Sequence, residues 1–141
     1  MQKSFCILFL LLFLLAAGCN TNSQVTGTVT FSDGEPYTGG RIIYEQGTSS
    51  VIGRVDEDGK FQLYSENPGD GVPAGSYRGF MSHDALSPSE IRINEPAPPP
   101  PFAAKYADVN QSGLAFEVKP GEKKVLEIVL ERSPQRERAR R

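Results

Sequence analysis

Val25-Thr26-Gly27-Thr28-Val29-Thr30-Phe31 alternates without a break: Val25, Val29 and Phe31 share one face and the three threonines share the other. A period of two puts successive side chains on opposite faces of extended backbone, so this stretch predicts a strand buried on one side only. Ser32-Asp33-Gly34-Glu35-Pro36 interrupts it with turn formers. Outward from there, β-branched and aromatic runs keep alternating with Gly- and Pro-rich breaks. Arg41-Ile42-Ile43-Tyr44 predicts a second strand, Val51-Ile52-Gly53-Arg54-Val55 a third, and Phe61, Leu63 and Tyr64 a fourth, behind the tight turn Glu57-Asp58-Gly59-Lys60. A fifth runs from Ser76 to Ser82 after Pro73-Ala74-Gly75, and residues 113–118 and 124–130 form the last two, joined at Lys119-Pro120-Gly121-Glu122. Helix signals are nearly absent beyond the N-terminal segment. Short strands in this number, with Gly-rich turns, predict an all-β domain: a seven-stranded Greek-key β-sandwich following an N-terminal signal helix.

That first segment carries one positive charge, at Lys3, and then a nearly pure Leu/Phe/Ile stretch from Phe5 to Leu15, too short to span a bilayer as a stable helix. It reads as a signal peptide. Leu15-Ala16-Ala17-Gly18-Cys19 closes it and resembles the lipobox of bacterial lipoproteins, with Ala16 where that family prefers leucine. The resemblance implies removal of residues 1–18, a diacylglycerol on the Cys19 thiol and a further acyl chain such as palmitate on the new amino terminus. Two or three acyl chains, at about 0.8 kcal/mol per buried CH₂, hold a protein on a membrane where one chain does not. The competing expectation is a cleaved, secreted protein in which Cys19 is incidental. Asn20 in place of an aspartate resembles an outer-membrane rather than an inner-membrane sorting signal. Cys6 leaves with the signal, so the mature chain holds one cysteine and no intramolecular disulfide is expected. Residues 19–24 serve as anchor and linker, which at roughly 3.5 Å per residue lets the domain stand no more than about 20 Å off the bilayer.

Charge is unevenly spread. The 141-residue chain is formally −2, yet residues 132–141 hold five arginines against one glutamate, leaving residues 19–131 at −7. Ser133-Pro134 ends the last strand and little after it is apolar, so 132–141 is expected as a disordered basic tail. Such a tail suits an anionic surface, or is simply a solvated terminus that keeps a strand end soluble. The stretch between anchor and tail, 25–131, is one domain by size.

Several spaced motifs lie along that domain. Val25-x-Gly27-x-Val29, Asp33-Gly34-x-Pro36, Val55-Asp56-x-Asp58-Gly59-x-Phe61, Pro73-x-Gly75-x-Tyr77, Lys105-Tyr106, Ser112-Gly113-Leu114 and Val118-x-x-Gly121 together resemble the carboxypeptidase regulatory-like, or transthyretin-like, domains of small bacterial lipoproteins. The resemblance implies a prealbumin-like sandwich and a folding or interaction module rather than a catalyst. The same residues also have structural explanations: Gly34 and Gly59 for turns at positive φ, Phe61 for the core, and Tyr77 with its hydroxyl on a nearby backbone carbonyl at a Greek-key corner.

Catalysis and metal binding need convergent His, Cys, Asp or Glu. The chain has a single histidine, His83, and Cys19 is committed to lipid, so no enzymatic activity, cofactor or metal is expected. Tyr77-Arg78-Gly79-Phe80 resembles the Tyr-Arg-Gly-Ser ending of transthyretin-like hydrolases of purine breakdown but differs in its last residue, lies inside the chain and lacks their histidines. Asp56-x-Asp58-Gly59 resembles the start of a calcium loop without its remaining ligands. The long segment 83–104 contains Pro98, Pro99, Pro100, Pro101 and Phe102, which favour an extended polyproline arm: either an interaction loop or a stiff connector delivering Phe102 and Tyr106 to the sandwich edge. The expected function is therefore that of a membrane-anchored, non-catalytic lipoprotein acting as an envelope interaction or structural module. The alternative is a ligand-binding lipoprotein that recognises carbohydrate or peptide at the sandwich edge. The expected partners are membrane lipid, through acylated Cys19, and an envelope protein or glycan; no nucleic acid is expected.

Overall fold

A computed structural model describes residues 21–83 and 99–135. Cys19 with the whole signal segment, Pro98 and residues 136–141 lie outside the described residues. The described chain is all-β apart from short helical turns. Its strands are β1 (Gln24–Phe31), β2 (Arg41–Gln46), β3 (Ser49–Arg54), β4 (Lys60–Gln62), β5 (Gly75–Ser82), β6 (Leu114–Val118) and β7 (Lys123–Leu130). They form two sheets, one ordered β4-β1-β7 and the other β3-β2-β5-β6.

The alternation in β1 is realised directly: Val25, Gly27, Val29 and Phe31 are buried while the threonines between them are half-buried on the outer face. Gly27 is required by packing, because a Cβ there would stand 2.5 Å from both the Leu126 carbonyl oxygen and the Phe61 ring. Valines, Ile42, Tyr44, Phe61, Leu63, Tyr77, Met81, Phe116, Ile128 and Leu130 fill a single core between the sheets. At about 25 cal/mol per Å² of apolar surface removed from water, this shared core is what holds the two sheets face to face. Tyr77 stacks on Phe116 at a ring-centroid distance of 5.0 Å, and Tyr44 meets Phe116 edge-on at 4.7 Å.

The expected fourth strand is divided between the sheets. Lys60–Gln62 pairs with β1 and the Leu63 N–H still donates to the Val25 carbonyl at 2.9 Å, after which Tyr64 exchanges two backbone hydrogen bonds of 3.0 Å with Ile52 on β3. Burying both Phe61 and Leu63 while satisfying the backbone drives this crossing. β1 and β7 run parallel, with Gln24 beside Lys123 and Phe31 beside Leu130, so both begin at one pole of the molecule and end at the other. Over the eight residues of β1 the poles are roughly 25 Å apart.

Candidate functional site: the two poles

The pole where β1 starts receives the chain from the N-terminus. Gly121 N–H donates to the Thr21 carbonyl at 2.9 Å, the Asn22 amide donates to the Asp70 carbonyl at 2.9 Å, and Ser23 exchanges backbone bonds with Val72. Ser23 is 1 % exposed, and its hydroxyl donates to the Lys119 carbonyl while accepting the Glu122 N–H. A hydroxyl that both donates and accepts in a buried site is fully used. The expected linker 19–24 is thus shorter than its sequence length. Residues 21–23 belong to the domain because their polar groups find partners in the turns at 67–72 and 119–122.

The opposite pole gathers the residues that end β1, β5 and β7. Phe102 is 1 % exposed, with its ring edge-on to Tyr37 at 5.7 Å and to Tyr106 at 6.4 Å. Of the two readings of this segment the geometry fits the connector that delivers Phe102 and Tyr106 to the sandwich; the Phe102 ring is spent on the core and is not displayed as an interaction loop would need. Of the neighbouring prolines, Pro99 is exposed while Pro100 and Pro101 are half-buried. The chain then forms a 3₁₀ turn, Ala104–Ala107, which seats Tyr106 in the core. His83 lies beside this cluster, its Nδ1 3.0 Å from the Tyr37 hydroxyl.

Arg132 corrects a second expectation, that of a disordered tail beginning there. Its Nε donates to Asp33 at 2.6 Å, a terminal nitrogen bonds Glu35, and the guanidinium lies 3.9 Å above the Phe31 ring. A guanidinium, with donors spread along its edge and a flat face, suits two carboxylates and an aromatic ring at once better than a compact ammonium does. The hydrogen bond to Asp33 raises the Arg132 pKa above its ordinary value. Backbone pairing continues one residue further: Ala103 N–H donates to the Glu131 carbonyl and Ser133 N–H to the Pro101 carbonyl, both at 2.9 Å. Lys105 and Glu131 add an exposed ion pair that raises the lysine pKa.

The remaining groups with chemical potential serve the fold. Asp56 Oδ1 accepts the N–H groups of Asp58 and Lys60, closing the turn that resembles a calcium loop. Asp108 accepts the Asn110 N–H and the Gln111 amide, and Ser112 donates to the Gly79 carbonyl. The Tyr77 hydroxyl donates to the Pro73 carbonyl at 2.8 Å, the corner bond expected from sequence, and burial raises its pKa. Among the described residues no group of three or more His, Cys, Asp or Glu side chains converges. Sequence reasoning missed the Arg132 clamp and the seating of residues 21–23; Asp33-x-Glu35 was visible, but its cation lies about 100 residues away.

No family model matches the chain, and no curated protein matches it. Solved structures of similar shape include a DUF3823 family protein from Bacteroides ovatus ATCC 8483, 16 % identical over 77 % of this chain and 44 % of that one, with a TM-score of 0.48. The TIE protein of Bacillus anthracis is 19 % identical over 77 % of this chain and 16 % of that one, also at 0.48. A DUF3823 family protein from Parabacteroides merdae ATCC 43184 is 18 % identical over 79 % of this chain and 46 % of that one, at 0.43. The chain spans less than half the length of each. Likeness at these levels assigns neither a family nor a function.

Proposed function

We propose that this protein is a lipid-anchored, non-catalytic envelope lipoprotein of the transthyretin-like, Greek-key type, acting as an interaction or structural module at a membrane surface. The observation that carries this reading is the seating of residues 21–23 directly behind Cys19. With Thr21 already bonded to Gly121, the free chain between an acylated Cys19 and the folded domain reaches roughly 7 Å, not 20 Å. A domain on so short a tether works against the bilayer itself. The described chain ends at the opposite pole, beyond Ser133, so acyl chains at one pole and the arginines that follow in sequence at the other would hold the sandwich along an anionic surface.

Two further observations support the module reading. Asp33, Glu35, Asp56, Asp108, Ser112, Tyr77 and Arg132 are each engaged in holding turns or poles together, which is how a scaffold uses polar side chains. The transthyretin-like topology is supported by the order β4-β1-β7 facing β3-β2-β5-β6 and by the Tyr77–Pro73 corner bond.

Intact mass and membrane fractionation of the native protein beside Cys19→Ser test the proposal. It requires acyl mass on Cys19 and flotation with membranes in the native form, both lost in the variant. A native chain that is soluble and unacylated refutes it.

A further inference from the structure

Among the described residues β7 is an edge strand, with β1 on one side and no strand on the other. Its even-numbered residues aim their backbone groups at β1, as the bond from Ser32 N–H to the Leu130 carbonyl shows, so Lys123, Val125, Glu127 and Val129 aim theirs outward. Among the described residues nothing pairs with that side until Glu131, where Ala103 takes over the edge. The same four side chains stand on the solvent face: Val125 is 73 % exposed and Val129 58 %, and these are the exposed large hydrophobics of the described structure. Neither Lys123 nor Glu127 has an ion-pair partner among the described residues. A long edge with unpaired N–H and C=O groups and β-branched side chains is a template for another strand.

We infer that the occupant is a second copy of this chain, paired antiparallel through β7 across a twofold axis at Val125, so that Lys123 faces Glu127 of the partner subunit on both sides of a Val125 pair. The register follows from charge and from the space that Ala103 leaves. An axis at Glu127 sets that carboxylate against its own copy and needs the Glu131 backbone, which Ala103 already holds. An axis at Leu126 sets Lys123 against a valine and Val125 against a carboxylate. Only the axis at Val125 makes the edge self-complementary, with two opposite-charge pairs, one apolar pair and about six backbone hydrogen bonds between residues 123 and 127. The outward residues fall in hydrogen-bonded pairs, whose Cβ atoms lie about 5.5 Å apart. The two Thr21 poles then stand roughly 27 Å apart along the strand direction, so a pair held in one bilayer lies with its strands along the surface. The inference does not rest on lipidation.

Short-range cross-linking in cells expressing the full chain tests it. Val125→Cys and Val129→Cys are each treated with dibromobimane, which bridges thiols too far apart for a direct disulfide, beside the parent chain as background for Cys6 and Cys19. In the inferred register two Val125 positions meet, whereas two Val129 positions lie roughly 27 Å apart. The expected result is a cross-linked dimer for Val125→Cys well above both the parent and Val129→Cys. Adding Lys123→Glu or Glu127→Lys to Val125→Cys should cut the dimer about tenfold, because two cross-strand pairs change sign together, and the two reversals combined should restore it. Equal cross-linking at 125 and 129, no dimer above the parent at 125, or failure of the double reversal to recover overturns the inference.

Discussion

Truncating the chain at two points separates a folded C-terminus from a tail. Removal of residues 136–141 takes away only what lies beyond the described fold and should leave stability within about 0.5 kcal/mol. Removal of 132–141 takes away the Arg132 clamp as well. Its two ion pairs, on a side chain 17 % exposed, contribute about 0.5–1 kcal/mol each at a partly solvated site, and the guanidinium over Phe31 adds about 0.5–1 kcal/mol. Loss of the bond from Ser133 to Pro101 costs about 1 kcal/mol, and partial uncovering of Phe102 about another 1 kcal/mol. The longer deletion should therefore cost about 3.5–5 kcal/mol, which for a domain near 100 residues lowers Tm by about 15–25 °C. Thermal melts followed by circular dichroism on a Cys19→Ser background read this directly. High salt should shrink the gap, since the carboxylates are solvent-accessible. Equal melting of the two truncations would refute the clamp and return residue 132 to the tail.

Further predictions follow from the packing and from the buried phenols. Phe102→Ala should destabilise by about 3–5 kcal/mol, because the ring is enclosed rather than displayed; chemical denaturation measures it, and a loss under 1 kcal/mol would mean a surface side chain. Tyr77→Phe deletes only the corner bond to Pro73 and should cost about 1 kcal/mol, visible as a shifted denaturation midpoint at unchanged m-value. Gly27→Ala forces a methyl into Phe61 and the Leu126 carbonyl and should cost about 1–3 kcal/mol; a neutral substitution would show that the sheets can separate there. Burial raises the pKa of Tyr44 and Tyr77, so the folded state keeps protons that the unfolded state releases near pH 10. Their contribution is complete below that pH and is lost as pH rises above it. Denaturation midpoints between pH 8 and 11.5 should therefore fall, with a shallower slope in Tyr44→Phe; an unchanged slope there would sink this account.

How much was legible beforehand depends on range. Val25 to Phe31 announces its own geometry, since a two-residue period needs no partner to define which face is apolar, and the Gly- and Pro-bearing turns announce where each strand ends. The Tyr77 corner bond was within reach because donor and acceptor lie four residues apart. The lipobox-like segment ending at Cys19 is likewise local, and it motivates an address that folding does not enter. What crosses the chain was not legible. The connector that brings Phe102 and Tyr106 to the sandwich was legible, but the sequence carries no mark that the backbone switches sheets after Leu63, that Tyr37 closes on Phe102, or that Arg132 closes on Asp33 and Glu35 some 97 to 99 residues earlier. Nor does it say that β7 lies parallel to β1, which decides that the described chain begins and ends at opposite poles and that β7 has a strand on one side only among the described residues. Secondary structure and turns follow from interactions between near neighbours, which the order of residues encodes. Poles, clamps and edges depend on which distant segments share a core, and only the tertiary structure decides that.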